Sequence, residues 1–183
     1  MPKPKAKTAY ILLFRGVGGA TQLPVAPLRE TLTEAGFEKV ATYINSGNAV
    51  LCSHLSREKV IATVAKLCED KFGFTKAIYA PTLAEWETLI ASNPFPTFEA
   101  GKHVHAAVLA ADPAKEAIGA LRAFAVEGEA IEVVDRVAYL HTPFGLGTSK
   151  LGEKFDTGIG VGNTARNWNT VLKLRELAVK AAG

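Results

Sequence analysis

Residues 164–171 carry side chains whose types and spacing suit the binding of a ligand. The pattern predicts the start of the last helix, on which Arg166, Asn169 and Lys173 share one side, because positions three and four apart lie on one helical face. A helix start also offers unpaired backbone N–H groups and the positive end of the helix dipole. Two cations and an amide there suit a phosphate, a carboxylate or a nucleic-acid backbone. An ordinary capped amphipathic helix explains the same pattern.

Asn167 and Thr170 lie on the other, core-facing side of this predicted helix, next to Trp168. A buried amide without a partner costs about 1–3 kcal/mol, so we expect these two side chains to bond to a neighbouring loop or to line a cleft. Trp168 suits the core, and it also suits stacking on a base or another ring.

Glycine-rich segments add backbone groups that can approach a phosphate. Residues 158–162 run into the predicted helix, residues 15–19 follow a predicted strand, and residues 45–48 join two strands. None matches a Walker A loop or a dinucleotide fingerprint, and tight turns or a flexible loop explain them equally well. Together with the last helix, these segments predict the following ligand-binding residues: Arg15, Gly18, Gly19, Asn45, Ser46, Asn48, Lys150, Arg166, Asn169 and Lys173.

Catalytic and metal-binding patterns are weak in this chain. His103 and His105 are two apart on a predicted strand and so share a face, and His141 ends another strand. Three histidines suit a metal ion, but the sequence places no carboxylate to complete a ligand set. We therefore predict solvated or hydrogen-bonded histidines, no metal and no cofactor, and we assign no catalytic residue. Nucleophile-elbow and His-Glu-x-x-His motifs are absent from the sequence.

The formal net charge is +3, and Lys3, Lys5 and Lys7 account for all of it, since 3 − 3 leaves 0 for residues 8–183. A neutral body argues against a general nucleic-acid binder. From Thr142 onward the chain has six Lys or Arg against three Asp or Glu, so the basic side lies in the last quarter.

Apolar residues make up 48% of the 183 residues, which is enough for a packed core without disulfides. The two cysteines, Cys52 and Cys68, lack CxxC and metal-ligand spacing, which favours buried thiols in a reducing compartment. No apolar run reaches the roughly 18 residues that a membrane helix needs, and no signal-peptide stretch precedes Tyr10. We therefore expect a cytoplasmic protein without a membrane partner.

Strand and helix patterns alternate in an order typical of α+β proteins. Over residues 9–81 a helix follows the first and the third of four predicted strands, which span residues 10–14, 40–44, 49–52 and 75–80. This βαββαβ order is the ferredoxin-like pattern, an antiparallel sheet with helices packed on it.

The rest of the chain nearly repeats the pattern. A capping box at Thr82 opens a linking helix, which with its connector occupies residues 82–102. Residues 103–183 then predict a second unit of order βαββα, with a glycine-rich stretch over 142–163 and no closing strand. We therefore predict two ferredoxin-like units, preceded by a disordered tail over residues 1–8.

Several motifs resemble those of a bacterial family catalogued as domain of unknown function 1697. The longest is 164–171, with a tryptophan and two asparagines, and the resemblance extends over about 10–179. The supporting motifs are Arg15-Gly16 with Gly18-Gly19, Tyr43-Ile44-Asn45-Ser46-Gly47-Asn48, Asn93-Pro94-Phe95, Tyr139-Leu140-His141 and Ser149-Lys150-Leu151. The resemblance implies a two-part, ferredoxin-like α+β protein whose activity is not established. This chain departs from the family in a shorter first glycine loop and in more glycines over 152–162.

Three functions fit these features. We favour a protein that binds a phosphorylated or other anionic small ligand between the glycine-rich loops and the start of the last helix, so that residues such as Arg15, Asn48 and Arg166 converge. The alternatives are a nucleic-acid-binding module and a non-catalytic domain that binds another protein. The chain lacks the aromatic-rich strand motifs of RNA-binding sheets. Enzyme status and oligomeric state stay open.

Overall fold

The structure is a computed structural model and describes residues 2–3, 5–17, 22–44, 47–95 and 101–183. Within these ranges the chain is an α+β protein with two four-stranded antiparallel sheets and six helices. None of the described helices is long and apolar enough to cross a membrane. The chain divides into two compact units, the first comprising Met1–Thr88 and Lys173–Gly183 and the second comprising Leu89–Leu172.

The first unit is built on one antiparallel sheet. Its elements are β1 (Thr8–Phe14), α1 (Val25–Glu34), β2 (Glu38–Thr42), β3 (Asn48–Ser53), α2 (Arg57–Phe72) and β4 (Ile78–Tyr79). The strand order is β2-β3-β1-β4, and β1 begins at the last residue of the predicted tail. Alternate residues of β1, namely Tyr10, Leu12 and Phe14, share one buried core with the apolar stripes of α1 and α2.

Local signals in the sequence explain where these helices begin and end. Ser56 caps α2, its hydroxyl accepting a hydrogen bond from a backbone N–H three residues further on, and Gly73 ends the helix at φ +66°. The predicted capping box is confirmed. The Glu85 N–H donates to Thr82 Oγ1 at 3.2 Å, and the Thr82 N–H donates to Glu85 Oε2 at 2.8 Å. This box opens α3 (Leu83–Ala91).

The second unit has the same sequence of elements as the first. They are β5 (Val104–Leu109), α4 (Lys115–Arg122), β6 (Ala130–Val134), β7 (Val137–His141), α5 (Lys150–Gly158) and β8 (Asn163–Asn167), followed by α6 (Trp168–Ala182). The strand order is β6-β7-β5-β8, so β5 takes the central place that β1 has in the first sheet. Ala107 and Leu109 of β5 lie in one buried core with apolar residues of α4 and α5.

The predicted βαββα order of the second unit is wrong, because residues 142–163 hold the helix α5 and the closing strand β8 follows. The glycines predict a loop there, but packing requires two of them. A Cβ at Gly158 would lie 2.7 Å from Leu121 Cδ2, and Gly152 is equally confined within α5. Ser149 starts this helix by accepting the Gly152 N–H at 3.1 Å. These glycines therefore permit close packing rather than flexibility.

Both cysteines are buried free thiols. Burial raises the pKa of Cys68 to about 11 and also raises the pKa of Cys52, whose Sγ donates to Ala181 O at 3.3 Å. Because the thiolate is the nucleophile, we expect native Cys68 to react with Ellman's reagent at about pH 8 roughly 100-fold more slowly than an exposed cysteine. Cys52 should also react more slowly than an exposed cysteine. The variants Cys52→Ser and Cys68→Ser each leave one thiol, so their labelling rates give the reactivity of each cysteine separately. Denaturant should restore the full reactivity of both thiols. Fast labelling of the native chain would contradict this burial.

Candidate functional site

Three loops meet at one end of the first sheet. The Phe14 N–H donates to Gly47 O at 2.9 Å, and the Arg15 N–H donates to Ala77 O at 3.0 Å. These bonds join the loop after β1, the hairpin between β2 and β3, and the segment before β4. We call this region the loop cluster and define it by its described residues: 15–17, 43–44, 47 and 76–77. Two glycine-containing motifs that are separate in the sequence are thus in contact within one unit.

Gly47 determines how closely these loops pack. Its φ is +76°, a conformation that favours glycine. A Cβ at this position would lie 2.7 Å from Val17 Cγ2 and 2.9 Å from Phe14 O. Both the backbone conformation and the available space therefore exclude a side chain.

Ile44 lies in the same hairpin and has an unfavourable backbone conformation. Its φ is +45°, which a β-branched residue rarely adopts, and the residue is 52% exposed. Such conformations cost on the order of 1–3 kcal/mol and concentrate at functional sites. The strain and the exposed apolar side chain both favour a binding role for the loop cluster.

Two cationic residues belong to the loop cluster and come from different loops. Arg15 is half-buried directly after β1, and Lys76 is exposed before β4. The Cγ and Cδ atoms of Lys76 lie 3.8 and 3.9 Å from the place of a Cβ on Gly16, so the lysine stem packs beside this glycine. The loop cluster therefore combines glycine backbone with two positive side chains.

The matching end of the second sheet has the same backbone contacts but a different charge pattern. The Leu109 N–H donates to Arg136 O at 2.9 Å, and the Ala110 N–H donates to Gly162 O, in the segment before β8, at 2.8 Å. Ala110 therefore stands at the position that corresponds to Arg15. Arg136 forms an ion pair with Asp112 at 3.6 Å. The charged residues at this end of the second sheet can therefore be compared with those of the loop cluster.

The residues of the first unit that were predicted to bind a ligand have different environments. Arg15 belongs to the loop cluster. Asn48 is 1% exposed, and its Nδ2 donates to Tyr43 O at 3.4 Å, so it braces the hairpin. Lys173 forms an ion pair with Glu176 at 2.9 Å. Four predicted residues lie outside the described part of the chain, namely Gly18, Gly19, Asn45 and Ser46.

Arg166 corrects the predicted start of the last helix. Residues 163–167 form β8 and pair with β5, and the helix begins only at Trp168. A strand turns its side chains to alternate faces, so the predicted helical face shared by Arg166, Asn169 and Lys173 is wrong. The prediction failed because the strand is fixed by its pairing with β5, which the local pattern does not contain.

The other predicted residues of the second unit are spread over three elements. Lys150 and Asn169 are exposed in the first turns of α5 and α6. The Arg166 Nη1 donates to Thr164 Oγ1 at 2.7 Å and to Ala165 O at 2.8 Å. Burial lowers the pKa of Arg166 to about 10, so the guanidinium stays charged at neutral pH.

The second unit also contains a cluster that the sequence predicts only in part, which we call the polar corner: His103, His105 and Thr142. The Thr142 N–H donates to His103 O at 2.8 Å, and His105 pairs with Leu140 of β7. The three side chains therefore lie on one face of the sheet. Both histidine Nδ1 atoms and Thr142 Oγ1 are buried without a hydrogen-bond partner among the described residues. Burial and the neighbouring His103 lower the pKa of His105.

The third predicted histidine lies apart from this pair. His141 is opposite Val104 and so faces the other side of the sheet, where its ring stacks on Phe95 with centroids 5.5 Å apart. Within the described ranges, no three His, Cys, Asp or Glu side chains are grouped so that they could hold a metal ion.

A family model described as a protein of unknown function, DUF1697, matches residues 7–139, which is more than half of the chain. The chain therefore belongs to this family, and the predicted family is confirmed. The matched span contains both glycine motifs of the loop cluster and ends before residues 164–171. No functionally curated protein matches the chain.

A solved structure is similar to this chain, that of the conserved bacterial protein SP0830 from Streptococcus pneumoniae. The TM-score is 0.70 at 22% sequence identity, and the match covers 94% of this chain and 99% of that chain. A likeness at this identity shows the fold alone.

Proposed function

We propose that this protein binds a small anionic ligand, such as a phosphorylated metabolite, at the loop cluster of the first unit. The observation that carries the proposal is the packing of two glycine motifs, with the Phe14 N–H bonded to Gly47 O at 2.9 Å and no room for a side chain on Gly47. Closely packed glycine backbone lets N–H groups approach a phosphate. The strained, exposed Ile44 in the same hairpin supports a binding role.

The charges of the loop cluster favour an anion. Arg15 presents a planar fork of donors that can contact two oxygens of a phosphate or carboxylate, and Lys76 adds a point charge from another loop. The corresponding end of the second sheet has Ala110 in place of Arg15, so the arginine of the loop cluster has no counterpart there. We therefore expect one such site per chain, in the first unit.

We further infer that each unit is ferredoxin-like. The support is the order strand, helix, strand, strand, helix, strand in both units, together with the sheet orders β2-β3-β1-β4 and β6-β7-β5-β8. In this arrangement the loops after the central strand, in the hairpin and before the last strand lie at one end of the sheet. The loop cluster occupies that end of the first unit.

Arg15→Gln is expected to weaken anion binding at least about tenfold, because a charge-assisted hydrogen bond contributes roughly 1.5–3 kcal/mol. The measurement is isothermal titration with inorganic phosphate, a hexose phosphate and adenosine monophosphate at low ionic strength. Arg136→Gln is the control, since it removes the same charge from the hairpin at the matching end of the second sheet. We expect its affinity to stay within about twofold of wild type.

Two results would count against the proposal. The first is anion binding that Arg15→Gln and Arg136→Gln weaken equally, since the site would then lie elsewhere. The second is the absence of binding by all three probes. If a single-stranded oligonucleotide bound with a steep salt dependence while the small anions did not, the nucleic-acid alternative would replace this one.

A further inference from the structure

The polar corner of the second unit has a counterpart in the first unit. The pairing of β5 with β7 corresponds residue by residue to the pairing of β1 with β3. His105 therefore takes the place of Tyr10, and Thr142 takes the place of Ser53. Tyr10 belongs to the buried core of the first unit, and His105 pairs with Leu140, so it lies on the sheet face that carries the buried core of the second unit.

The two units differ in how these polar groups are satisfied. In the first unit the chain does so itself: Tyr10 Oη donates to Leu55 O at 2.9 Å, and the Leu55 N–H donates to Ser53 Oγ at 3.1 Å. In the polar corner three buried atoms have no such partner among the described residues. Each unpaired buried polar group costs about 1–3 kcal/mol. None of the described residues satisfies these three atoms, so their grouping favours a bound group as their partner.

We propose that the polar corner binds a divalent transition-metal ion of the zinc type through the imidazoles of His103 and His105. Side chains two apart on a strand project from the same face, so both rings can reach one ion. Neutral imidazole is a favoured ligand of Zn²⁺ and of its first-row neighbours.

Two protein ligands leave the remaining positions of a tetrahedral ion to water, so the ion has open coordination. Thr142 lies directly across from His103, and its hydroxyl can form a hydrogen bond with a metal-bound water. In this arrangement each of the three unpaired atoms gains a partner. The polar corner belongs to the second unit and the loop cluster to the first, and the two proposed ligands differ in chemistry.

The test uses Zn²⁺ as the probe, added to the metal-free chain in competition with a chromophoric zinc indicator. We expect one equivalent to bind, and His103→Gln and His105→Gln each to weaken the binding at least about tenfold. His141→Gln is the matched control, because this histidine lies on the other face of the same sheet. Its affinity should stay within about twofold of wild type.

A second measurement separates the loss of a ligand from the loss of the fold. Zn²⁺ should raise the melting temperature of the wild-type chain and of His141→Gln but not that of His105→Gln, while the circular dichroism of all three agrees. The proposal is overturned if the wild-type chain binds no equivalent of Zn²⁺. It is equally overturned if neither His103→Gln nor His105→Gln weakens the binding.

Discussion

Gly47→Ala is expected to lower the free energy of unfolding by about 2–5 kcal/mol, of which the left-handed conformation costs about 1–2 and steric overlap about 1–3. The overlap arises because a Cβ would lie 2.9 Å from Phe14 O and 2.7 Å from Val17 Cγ2. Phe14 is fully buried and fixed in the sheet, so its carbonyl cannot move away cheaply. Urea denaturation followed by circular dichroism measures the loss.

A control with the same backbone conformation isolates the steric part. Gly36 has a φ of +93°, and a Cβ there would meet no described atom within 4 Å. Gly36→Ala should therefore cost only the conformational part, about 1–2 kcal/mol. Equal losses for Gly36→Ala and Gly47→Ala would show that the loops are not packed as closely as the structure has them.

The parts of the fold that the sequence predicts are those that local hydrogen bonds determine. Ser56 accepts a hydrogen bond from the residue three positions further on, and Thr82 exchanges two hydrogen bonds with the residue three positions further on. Both caps can therefore be recognised in a short window of sequence. β8 could not be found in this way, because its five residues are a strand only through pairing with β5. The helix start predicted at residue 164 is therefore too early, and Asn167, predicted to lie inside the helix, precedes it. Its Oδ1 accepts the Thr170 N–H at 2.9 Å and caps α6.

In the candidate sites, too, the sequence predicts the features that are local and misses those that depend on tertiary contacts. Both glycine motifs of the loop cluster are visible in the sequence, since glycine and asparagine at turns have a known conformational reason. Their mutual contact is tertiary and depends on Val17 and Gly47 meeting across 30 residues of chain. In the polar corner, His103 and His105 can be paired from their spacing alone. Thr142 could not be predicted from the sequence, because a buried hydroxyl without a hydrogen-bond partner can be recognised only in the folded structure.

Trp168→Ala is expected to lower the free energy of unfolding by about 3–5 kcal/mol, the range for deleting a buried aromatic side chain. Trp168 is 1% exposed as the first residue of α6, so removing the indole leaves a cavity that the helix cannot close without shifting. The same burial argues against the alternative in which this ring stacks on a base, since stacking requires an accessible face. Urea denaturation followed by circular dichroism gives the loss.

Leu172→Ala is the matched control on the same helix, one turn away. Leu172 is 45% exposed, so its truncation should change the free energy of unfolding by no more than about 0.5 kcal/mol. Trp168 would instead belong to the binding surface if Trp168→Ala caused a similarly small loss and if added nucleotide quenched the fluorescence of the wild-type chain but not that of Trp168→Ala, which retains Trp86. A large loss without quenching assigns the tryptophan of the family motif to the core. Ligand contacts would then have to come from other residues of the chain, of which the loop cluster offers Arg15 and Lys76.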